Sequence, residues 1–517
     1  MEKVRTSLTH DHSIGFISRV EMLLNKRHFM QRTINLGQKV FENVYHSVLL
    51  VQRLNFHYSS QRLSLNSTDK RIIRSSSPDI HIPNKTYIEF ILEHCERHGE
   101  KHAIADYMNE KLFTYNDVHD LVKKCGSAFK RMGKNQKDVV ALFMPNIPEY
   151  PIALYGIQVA GGTVTTVNPT YTADELAYQL NDTGAKYLVS SLELLPKARE
   201  ATSKVKLSMD NVLDIDTLWN LILSDDGSYL PNIHSTKTPS EDVVNLAYSS
   251  GTTGLPKGVM LTSTNYISQA VIMACERFMP KRPEIPQEII LAFLPFFHAY
   301  GLAYIMGVHF YLGSKLICLP KFEPELFLDA IEKHKVTFLP LVPPIVLFLT
   351  KHPMVEKYDL SSVKYIVCSA AHLSGELEKT LLKRFPNVCS VQQGYGLTET
   401  GGGTMVNPLD KPPTKSGSIG ILLPNTEAKV KDLQSGKALG PGEDGEICLR
   451  GPGITKGYLN NPEQIAQAID QDGWLHTGDI GHYDEDEYFY IVDRKKELIK
   501  YKGLQVATKN SYWNLLL

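Results

Sequence analysis

The feature that most constrains this chain is the stretch Tyr248–Gly258, which combines four Ser or Thr residues, three glycines and one lysine. A loop of this composition can hold phosphate groups, because glycine lets backbone N–H groups approach a ligand and the lysine adds a positive charge. A Walker A loop is excluded, since that loop needs Ser or Thr directly after its lysine, whereas Lys257 precedes Gly258 and a strand-like apolar run. A plain Gly/Ser/Thr surface turn has a similar composition. The candidate phosphate ligands are Ser249, Ser250, Gly251, Thr252, Thr253, Gly254 and Lys257.

The overall composition describes a globular chain with small-molecule partners. Its 517 residues are 43% hydrophobic, which is ample for packed cores and is consistent with about three domains or subdomains. The 55 Lys and Arg residues nearly balance the 56 Asp and Glu residues, so the net charge gives no indication of nucleic acid or an anionic membrane as partner. The seven cysteines contain no C-x-x-C pair, which argues against a zinc site and a disulfide framework and fits a reducing, intracellular compartment.

Helical and strand-like patterns alternate along most of the chain, which predicts an α/β fold. Apolar residues recur at helical spacing over Tyr87–His98 and Asn116–Met132, and Val139–Met144 is a run typical of a strand. Ser224–Glu241 has the composition of a linker, and short strands and turns beyond Pro424 predict a small β subdomain. The predicted divisions are an extension at 1–75, α/β subdomains at 76–240 and 241–424, a β subdomain at 425–492 and a terminal segment at 493–517.

The N-terminal extension has a composition of its own. From Ser13 to Thr68 there are seven basic residues and two acidic ones. An arginine-rich, acid-poor and amphipathic segment is typical of a mitochondrial transit peptide, and the same composition fits a solvated, partly helical extension. The C-terminal residues Asn514–Leu517 are not a peroxisomal address of the Ser-Lys-Leu type. The predicted location is therefore the cytoplasm or an organellar matrix.

One segment, Ile289–Ser314, has no Asp, Glu, Lys or Arg and is long enough to cross a bilayer. Pro295, His298 and several glycines interrupt its apolar run. A buried strand, a loop and a helix in succession are therefore predicted here in place of a transmembrane span.

Further motifs follow the Tyr248–Gly258 stretch in order along the chain: Gln393–Thr400, Gly445–Gly451, Thr477–Asp479 and Asp493–Gly503. Together they resemble the motifs of the adenylate-forming superfamily of acyl-CoA synthetases, peptide-synthetase adenylation domains and beetle luciferases, in the variant seen in 4-coumarate–CoA ligases. The resemblance covers roughly residues 80 to 506. It implies the large N-terminal domain of that superfamily, with two α/β subdomains and a small β subdomain, and a mobile C-terminal domain that is mostly missing.

The motif Gln393–Thr400 carries groups that suit an adenylate. Tyr395 can stack on an adenine, Gly394 can admit the base, Thr398 can hydrogen-bond the α-phosphate and Glu399 can hold Mg²⁺. A glycine-rich turn after a strand is the alternative. The resemblance implies that Gln393 belongs to the same nucleotide site and that Thr398 and Glu399 are catalytic.

Asp479 and Arg494 are the candidate ribose ligands. The Asp479 carboxylate only accepts hydrogen bonds, which suits two ribose hydroxyls, and Arg494 can add a donor. An isolated Asp after a glycine is more often a turn residue. The resemblance implies that these two residues form the ribose clamp of the family.

His298 lies in an aromatic and apolar sequence environment, where a histidine is commonly a packed core residue. The resemblance implies instead a catalytic histidine that gates the path of the acid, with Tyr300 lining the acyl pocket. Ala370 and Ala371 would form another wall of that pocket. His372 departs from the family pattern, which usually has proline at this position.

The segment after Asp493 resembles the hinge between the large domain and a mobile C-terminal domain. The resemblance implies a nucleotide-side hinge residue at Lys496, catalytic contacts to the acyl-adenylate from Lys500 and Gln505, and contacts to coenzyme A from Lys502 and Gly503. After Val506 the family pattern stops, and the Pro-x-x-x-x-Gly-Lys segment whose lysine drives adenylation is not found. The sequence therefore predicts a chain truncated just after the hinge, with turnover far below that of an intact relative.

These motifs predict an ATP-dependent carboxylic acid–CoA ligase that acts through an acyl-adenylate. ATP, Mg²⁺ and coenzyme A are the implied cofactors and co-substrates, and the acid is either aryl-propenoic, such as 4-coumarate, or a fatty acid. Two alternatives stay open, namely a catalytically inactive fragment that still binds nucleotide and acid, and a luciferase-like monooxygenase.

Overall fold

The computed structural model describes residues 71–108, 110–135, 137–230, 241–249, 256–279, 282–409, 415–494, 499–501 and 504–506. For the last two ranges it describes the backbone alone. The predicted extension up to residue 70 and the C-terminal residues 507–517 lie outside these ranges, as does most of the predicted linker, residues 231–240.

Within the described residues, the strands form four sheets. In chain order they are β1 Ile73–Arg74, β2 His102–Asp106, β3 Leu112–Thr114, β4 Val139–Phe143, β5 Thr163–Thr166, β6 Tyr187–Ser190, β7 Val212–Asp214, β8 Val243–Ser249, β9 Lys257–Thr262, β10 Ile289–Ala292, β11 Lys315–Cys318, β12 Phe338–Leu341, β13 Tyr365–Cys368, β14 Ser390–Leu397, β15 Gly402–Val406, β16 Ile421–Leu422, β17 Glu427–Lys431, β18 Gly445–Arg450, β19 Gly457–Tyr458, β20 Leu475–Tyr483, β21 Phe489–Arg494, β22 Ile499–Tyr501 and β23 Leu504–Val506.

The α-helices alternate with the strands through the first two thirds of the chain. They are α1 Tyr87–His98, α2 Tyr115–Arg131, α3 Glu149–Val159, α4 Ala173–Thr183, α5 Leu195–Ser203, α6 Ile215–Ser224, α7 Ser263–Met273, α8 His309–Leu312, α9 Pro324–His334, α10 Pro343–Lys351, α11 Gly375–Arg384 and α12 Pro462–Ala468. A π-helix spans Tyr300–Val308, and short 3₁₀ turns span Leu192–Leu194, Met209–Asn211, Pro353–Lys357 and Thr398–Thr400. The predicted α/β fold class is confirmed.

Local sequence signals account for the first helices. α1 has the predicted bounds, and α2 differs from the predicted range by one residue at each end. Thr86 and Thr114 cap these helices, and in each case the carboxylate of the acidic residue three positions later accepts a hydrogen bond from the backbone N–H of the cap. Such reciprocal capping satisfies backbone N–H groups that have no partner inside the helix. The sequence pattern and the cap therefore agree on the start of α1 and differ by one residue for α2.

The two large sheets do not divide the chain at residue 240, where the sequence predicts a boundary. The seven-stranded sheet has the order β19-β9-β8-β5-β4-β6-β7, and the nine-stranded sheet has the order β16-β15-β14-β13-β12-β10-β11-β2-β3, among the described residues. β8 therefore pairs in parallel with β5, and β2 pairs in parallel with β11. Parallel pairing needs long crossover connections, which bring segments far apart in sequence side by side. A change in composition along the sequence therefore does not reveal which strands pair.

The smaller five-stranded sheet has the order β1-β17-β18-β20-β21 within the described part of the chain. Four of its strands fall in the predicted β subdomain, and β1 comes from within the predicted extension, where Ile73 pairs with Ala428. A two-residue strand is held by backbone hydrogen bonds and leaves no periodic pattern in the sequence. Buried apolar residues, among them Ile447 and Phe489, form the core of this sheet.

The apolar segment Ile289–Ser314 forms a buried strand, a loop and helical turns, as predicted. β10 begins the segment, and the π-helix and α8 follow the loop. No helix in the described ranges combines the length and the apolar character that crossing a bilayer requires.

Candidate active site

A cavity of about 960 Å³ is lined by residues of the seven-, nine- and five-stranded sheets. It lies beyond the carboxyl ends of parallel strands, because residues that follow β5, β10 and β13 line it together with the last residue of β8. Ligand sites of open α/β sheets are commonly found at such ends. The cavity contains many of the predicted site residues, namely Ser249, Lys257, His298, Tyr300, Ala370, Gly394, Tyr395, Thr398, Glu399, Asp479 and Arg494.

Glu399 lies at the centre of a polar cluster at one end of the cavity. The Ser249 hydroxyl donates a hydrogen bond to Glu399 Oε1 at 3.1 Å, and the Tyr458 hydroxyl donates to the same oxygen at 3.0 Å. Lys257 Nζ lies 5.2 Å from the centroid of the Tyr458 ring. A carboxylate can bind Mg²⁺, and a lysine and hydroxyl groups can bind phosphate oxygens, so the group has the chemistry that a metal-bound phosphate needs.

Tyr458 is a site residue that the sequence reasoning missed. It belongs to β19, where it pairs with Val259 of β9, and this pairing brings residue 458 beside Lys257. Burial and the Glu399 carboxylate raise the pKa of the Tyr458 phenol, so its hydroxyl stays protonated and donates at neutral pH. The Gly457-Tyr458 pair comes shortly after the recognised motif Gly445–Gly451. Its position close to a recognised motif is the sequence signal that could have indicated Tyr458.

Replacing Tyr458 by phenylalanine is expected to slow adenylation by about tenfold or more, because hydrogen bonds to charged groups contribute about 1.5–3 kcal/mol. The phenylalanine ring keeps its place beside Lys257, so the change isolates the hydroxyl. ATP–pyrophosphate exchange measures the effect. Tyr229→Phe is the matched control, because Tyr229 is exposed and does not line the cavity. Equal rates in the two variants would contradict a role for the Tyr458 hydroxyl.

A second cluster joins the glycine-rich motif to the predicted ribose clamp. The Tyr395 hydroxyl donates to Asp479 Oδ2 at 2.6 Å, and Arg494 Nε donates to Asp479 Oδ1 at 3.0 Å. Asp479 and Arg494 are direct cross-strand partners in β20 and β21. Burial and the Asp479 carboxylate raise the pKa of the Tyr395 phenol, which remains a donor. The Tyr395 hydroxyl thus contacts the clamp, and Tyr395 also lines the cavity.

The backbone around Asp479 departs from regular strand geometry. The register between β18 and β20 shifts between Glu446 and Cys448, opposite Thr477, Gly478 and Asp479. Gly478 has φ +74°, a left-handed conformation that glycine adopts without steric cost. The Thr477 hydroxyl donates to the Ile447 carbonyl at 2.7 Å and accepts from the Asp479 N–H at 3.1 Å. Irregular strand segments of this kind redirect side chains next to active sites.

Gly396 is required by close packing in the glycine-rich motif. A Cβ at this position would lie 2.1 Å from the carbonyl oxygen of Gly402 on the neighbouring strand β15. The register of β14 and β15 also shifts between Tyr395 and Gly396. The glycine therefore lets the two strands approach beside the cavity.

His298 and Tyr300 form a further part of the cavity lining. Tyr300 begins the π-helix, and its hydroxyl donates to the Val367 carbonyl at 2.9 Å. The Tyr300 N–H donates to His298 Nδ1 at 3.2 Å, so Nδ1 is the acceptor nitrogen of the ring and Nε2 is the nitrogen outside this contact. The ring is open to the water of the cavity, but surrounding protein atoms partly desolvate it and lower the pKa of His298. The imidazole is therefore neutral at pH 7. Single π-helical turns are frequent at functional sites.

Two predicted residues are not among those that line the cavity. Gln393 is buried behind it, where Gln393 Oε1 accepts from the Leu373 N–H at 3.3 Å and its amide donates to Glu378. The Gln393 side chain therefore supports the segment that carries Ala370. Ala371 is exposed and directly follows Ala370, which lines the cavity.

Ala370 has φ +70°, which is unfavourable for a residue with a Cβ. Replacing it by glycine should remove strain of about 1–2 kcal/mol and cost about 0.4–1 kcal/mol in unfolded-state entropy. We therefore expect Ala370→Gly to raise the free energy of unfolding by up to about 1 kcal/mol, measured by urea denaturation. Ala371→Gly is the control, because Ala371 has no positive φ and should lose stability. The prediction is contradicted if both variants are destabilised equally.

The remaining predicted residues cannot be placed in the cavity. Ser250, Gly251, Thr252, Thr253, Gly254, Lys496, Lys502 and Gly503 lie outside the described residues. Lys500 and Gln505 are described by backbone alone, in β22 and β23, where they are cross-strand partners. Their roles in phosphate, adenylate and coenzyme A binding stay predictions.

Comparison with known proteins identifies the family. Residues 91–459 match the family described as AMP-binding enzyme. The chain is 38% identical to 4-coumarate–CoA ligase 1 of Arabidopsis thaliana over 462 residues, covering 86% of this chain and 82% of the relative. A long-chain-fatty-acid–CoA ligase from Archaeoglobus fulgidus superimposes with a TM-score of 0.73 at 27% identity, covering 82% of this chain and 87% of that structure. ATP-bound MatB from Rhodopseudomonas palustris superimposes with a TM-score of 0.71 at 25% identity, covering 80% and 81%.

The family match spans well over half of the chain and contains the lining residues from Asn168 to Tyr458, whereas those from Gln464 to Arg494, the clamp among them, follow it. The relatives are ligases that join an acid to coenzyme A. The chain belongs to the AMP-binding enzyme family, among the adenylate-forming acid–CoA ligases similar to 4-coumarate–CoA ligase.

Proposed function

We propose that this chain activates an aryl-propenoic acid of the 4-coumarate class with ATP and transfers the acyl group to coenzyme A. The observation that supports this most is the convergence of a phosphate-end cluster, a ribose-end cluster and a histidine–tyrosine end on a single cavity. The cavity volume is about 960 Å³, which is large enough for a nucleotide and a small aromatic acid.

The first half-reaction needs the acid and the α-phosphate to be held together. A carboxylate oxygen of the acid attacks the α-phosphorus of ATP, and the bond to pyrophosphate breaks. We assign Asp479 to the ribose hydroxyls as an acceptor, Arg494 to the orientation of Asp479, and Lys257 to the phosphate charge. Glu399 would hold Mg²⁺, which neutralises phosphate charge when bound.

In the second half-reaction, the sulfur of coenzyme A attacks the acyl carbon and AMP leaves. His298 stands at the acid end of the cavity as a neutral imidazole, so it can hydrogen-bond the acid without placing a second cation there. We assign it to positioning the acid's carboxylate. The residues that would meet coenzyme A lie outside the described side chains and are proposed from the sequence alone.

An aryl acid is favoured over a fatty acid by the rings at the acid end. Phe297, Tyr300 and Tyr304 line the cavity, and the centroids of the two tyrosine rings are 5.7 Å apart. Offset and tilted aromatic contacts add about 0.5–1.5 kcal/mol beyond simple burial, which an aryl-propenoic acid can use and an alkyl chain cannot. The 38% identity to a 4-coumarate–CoA ligase supports the same choice.

A single-turnover assay tests the proposal even when turnover is slow. Enzyme in excess over radiolabelled ATP is mixed with 4-coumarate or with hexanoate, and the acyl-adenylate is trapped with hydroxylamine. We expect more hydroxamate from 4-coumarate, and thioester once coenzyme A is added. Preference for hexanoate would replace the aryl acid by a fatty acid. Absence of pyrophosphate release, with nucleotide binding intact, would favour the inactive binding alternative, and oxygen uptake would favour the monooxygenase.

The slow turnover that the sequence predicts for the 517-residue chain stays a prediction. Multiple-turnover rates of pyrophosphate release and thioester formation measure it directly. The ratio of multiple-turnover to single-turnover rates separates a slow catalytic cycle from a site that cannot perform the first step.

A further inference from the structure

A group of metal-ligand side chains lies at the edge of the cavity and has no part in the proposed ligase reaction. Glu446, Cys448 and His476 each offer one ligand atom, and these atoms all lie within 4.8 Å of one another. His476 Nδ1 is 3.1 Å from Glu446 Oε2 and 3.6 Å from Cys448 Sγ. We propose that these three side chains bind one divalent transition-metal ion of the zinc class.

The fold places the three ligands on one face of the five-stranded sheet. Glu446 and Cys448 are two positions apart in β18, so their side chains point to the same side. Cys448 and His476 are direct cross-strand partners in β18 and β20. Strand pairing, rather than a flexible loop, therefore sets the distances within the group.

The two distances from His476 are close to those around a tetrahedral zinc ion. Zinc binds nitrogen and oxygen at about 2.0–2.2 Å and sulfur at about 2.3 Å, so neighbouring ligand atoms are about 3.3–3.6 Å apart. The separations of 3.1 and 3.6 Å from His476 Nδ1 need shifts of only a few tenths of an ångström, and the Glu446 carboxylate and Cys448 Sγ, which lie within 4.8 Å of each other, would close on the same ion. A thiolate, an imidazole and a carboxylate together suit zinc or cobalt and do not suit Mg²⁺. The site is thereby distinct from the one proposed at Glu399.

A further carboxylate supports the histidine as a ligand. Asp470 Oδ2 lies 3.5 Å from His476 Nε2, on the side of the ring opposite to the metal position. Metal-bound histidines commonly donate their other N–H to a carboxylate, which fixes the tautomer and the ring orientation. Lys429 Nζ is 3.9 Å from the same Asp470 oxygen, where its positive charge stabilises the ionised carboxylate.

The fourth coordination position faces the cavity. Cys448 is fully buried, whereas Glu446 and His476 line the cavity, so an ion can enter from that side. Three protein ligands with one open position are typical of zinc sites that keep a water or bind a ligand. His476 also directly precedes Thr477–Asp479, so the ion would bind next to the ribose clamp.

The sequence alone argued against zinc because the cysteines form no C-x-x-C pair. That argument holds for sites built from a single loop. The present group takes its ligands from two strands and uses a single cysteine. Cys448 and His476 are 28 positions apart in the sequence. Spacing in the sequence does not report such a group.

Cobalt titration of the chelator-treated full chain tests the proposal. We expect one Co²⁺ per chain, a sulfur-to-cobalt charge-transfer band, displacement by Zn²⁺ and no displacement by Mg²⁺. Cys448→Ser should abolish the band. Asp470→Asn keeps all three ligands and should weaken binding by about 10- to 100-fold. Cys389→Ser is the matched control and should bind as the wild type does, because Cys389 is exposed and away from the group.

The proposal is overturned if the wild type shows no charge-transfer band, or if the band survives in Cys448→Ser. If Cys448→Ser does not fold, as judged by circular dichroism, Asp470→Asn decides, and unchanged affinity in that variant overturns the proposal. These readouts need neither ATP nor an acid. Failure of the ligase proposal would therefore leave the metal result unaffected, and the reverse also holds.

Discussion

Replacing Asp479 by alanine is expected to weaken AMP binding by at least about 100-fold. The side chain is buried, with its carboxylate held between Tyr395 and Arg494. Alanine removes the acceptor for both ribose hydroxyls, and hydrogen bonds to a charged group contribute about 1.5–3 kcal/mol each. It also leaves Arg494 without its carboxylate partner on β20 and the Tyr395 hydroxyl without its acceptor. Isothermal titration calorimetry with AMP measures the change.

Two further variants separate the ribose contact from damage to the fold. Tyr395→Phe removes the hydroxyl that donates to Asp479 but keeps the ring and the carboxylate, so AMP affinity should fall far less than in Asp479→Ala. Asp216→Ala changes an exposed aspartate in the first turn of α6 and should leave affinity unchanged. Unaltered AMP affinity in Asp479→Ala, with a native circular dichroism spectrum, would remove Asp479 from the nucleotide site.

The local elements of the fold were predictable where short-range signals agree. α1 and α2 carry apolar residues at helical spacing and begin after Thr caps, so pattern and capping agree on their starts to within one residue. The order of strands in the sheets was not predictable, because pairing of β5 with β8 and of β2 with β11 depends on crossovers between distant segments. β1 is short enough that it has no pattern of its own.

The candidate site likewise contains residues that the sequence could predict and residues that it could not. Lys257, Glu399 and Asp479 line the cavity and were predicted as site residues because each lies in a motif with a chemical reason for its residue type; their roles stay predictions. Tyr458 was missed, since its place beside Lys257 follows from the pairing of β19 with β9. Gln393 belongs to a recognised motif, yet its side chain points behind the cavity to Leu373. Gln393 and Tyr395 are two positions apart in β14 and only Tyr395 lines the cavity, so a motif does not by itself say which of its members reach the ligand.

Replacing Glu399 by glutamine is expected to lower the rate of adenylation by about 10²- to 10³-fold. The amide keeps nearly the shape of the carboxylate, and its oxygen can still accept hydrogen bonds from Ser249 and Tyr458. What is lost is the negative charge that would hold Mg²⁺ against the phosphates, where charge develops as pyrophosphate leaves. AMP lacks the β- and γ-phosphates, so AMP affinity should change little. Single-turnover pyrophosphate release measures the rate.

The dependence on Mg²⁺ concentration decides whether Glu399 acts through the metal. Glu399→Gln should need a higher Mg²⁺ concentration for half-maximal rate, whereas Tyr458→Phe, which keeps the carboxylate, should need nearly the wild-type concentration. Glu325→Gln changes an exposed glutamate in the first turn of α9 and serves as the control for loss of one negative charge. A rate loss below about tenfold with an unchanged Mg²⁺ requirement would mean that Glu399 serves as a hydrogen-bond acceptor for Ser249 and Tyr458, and the metal ligand would then have to be sought elsewhere in the cavity.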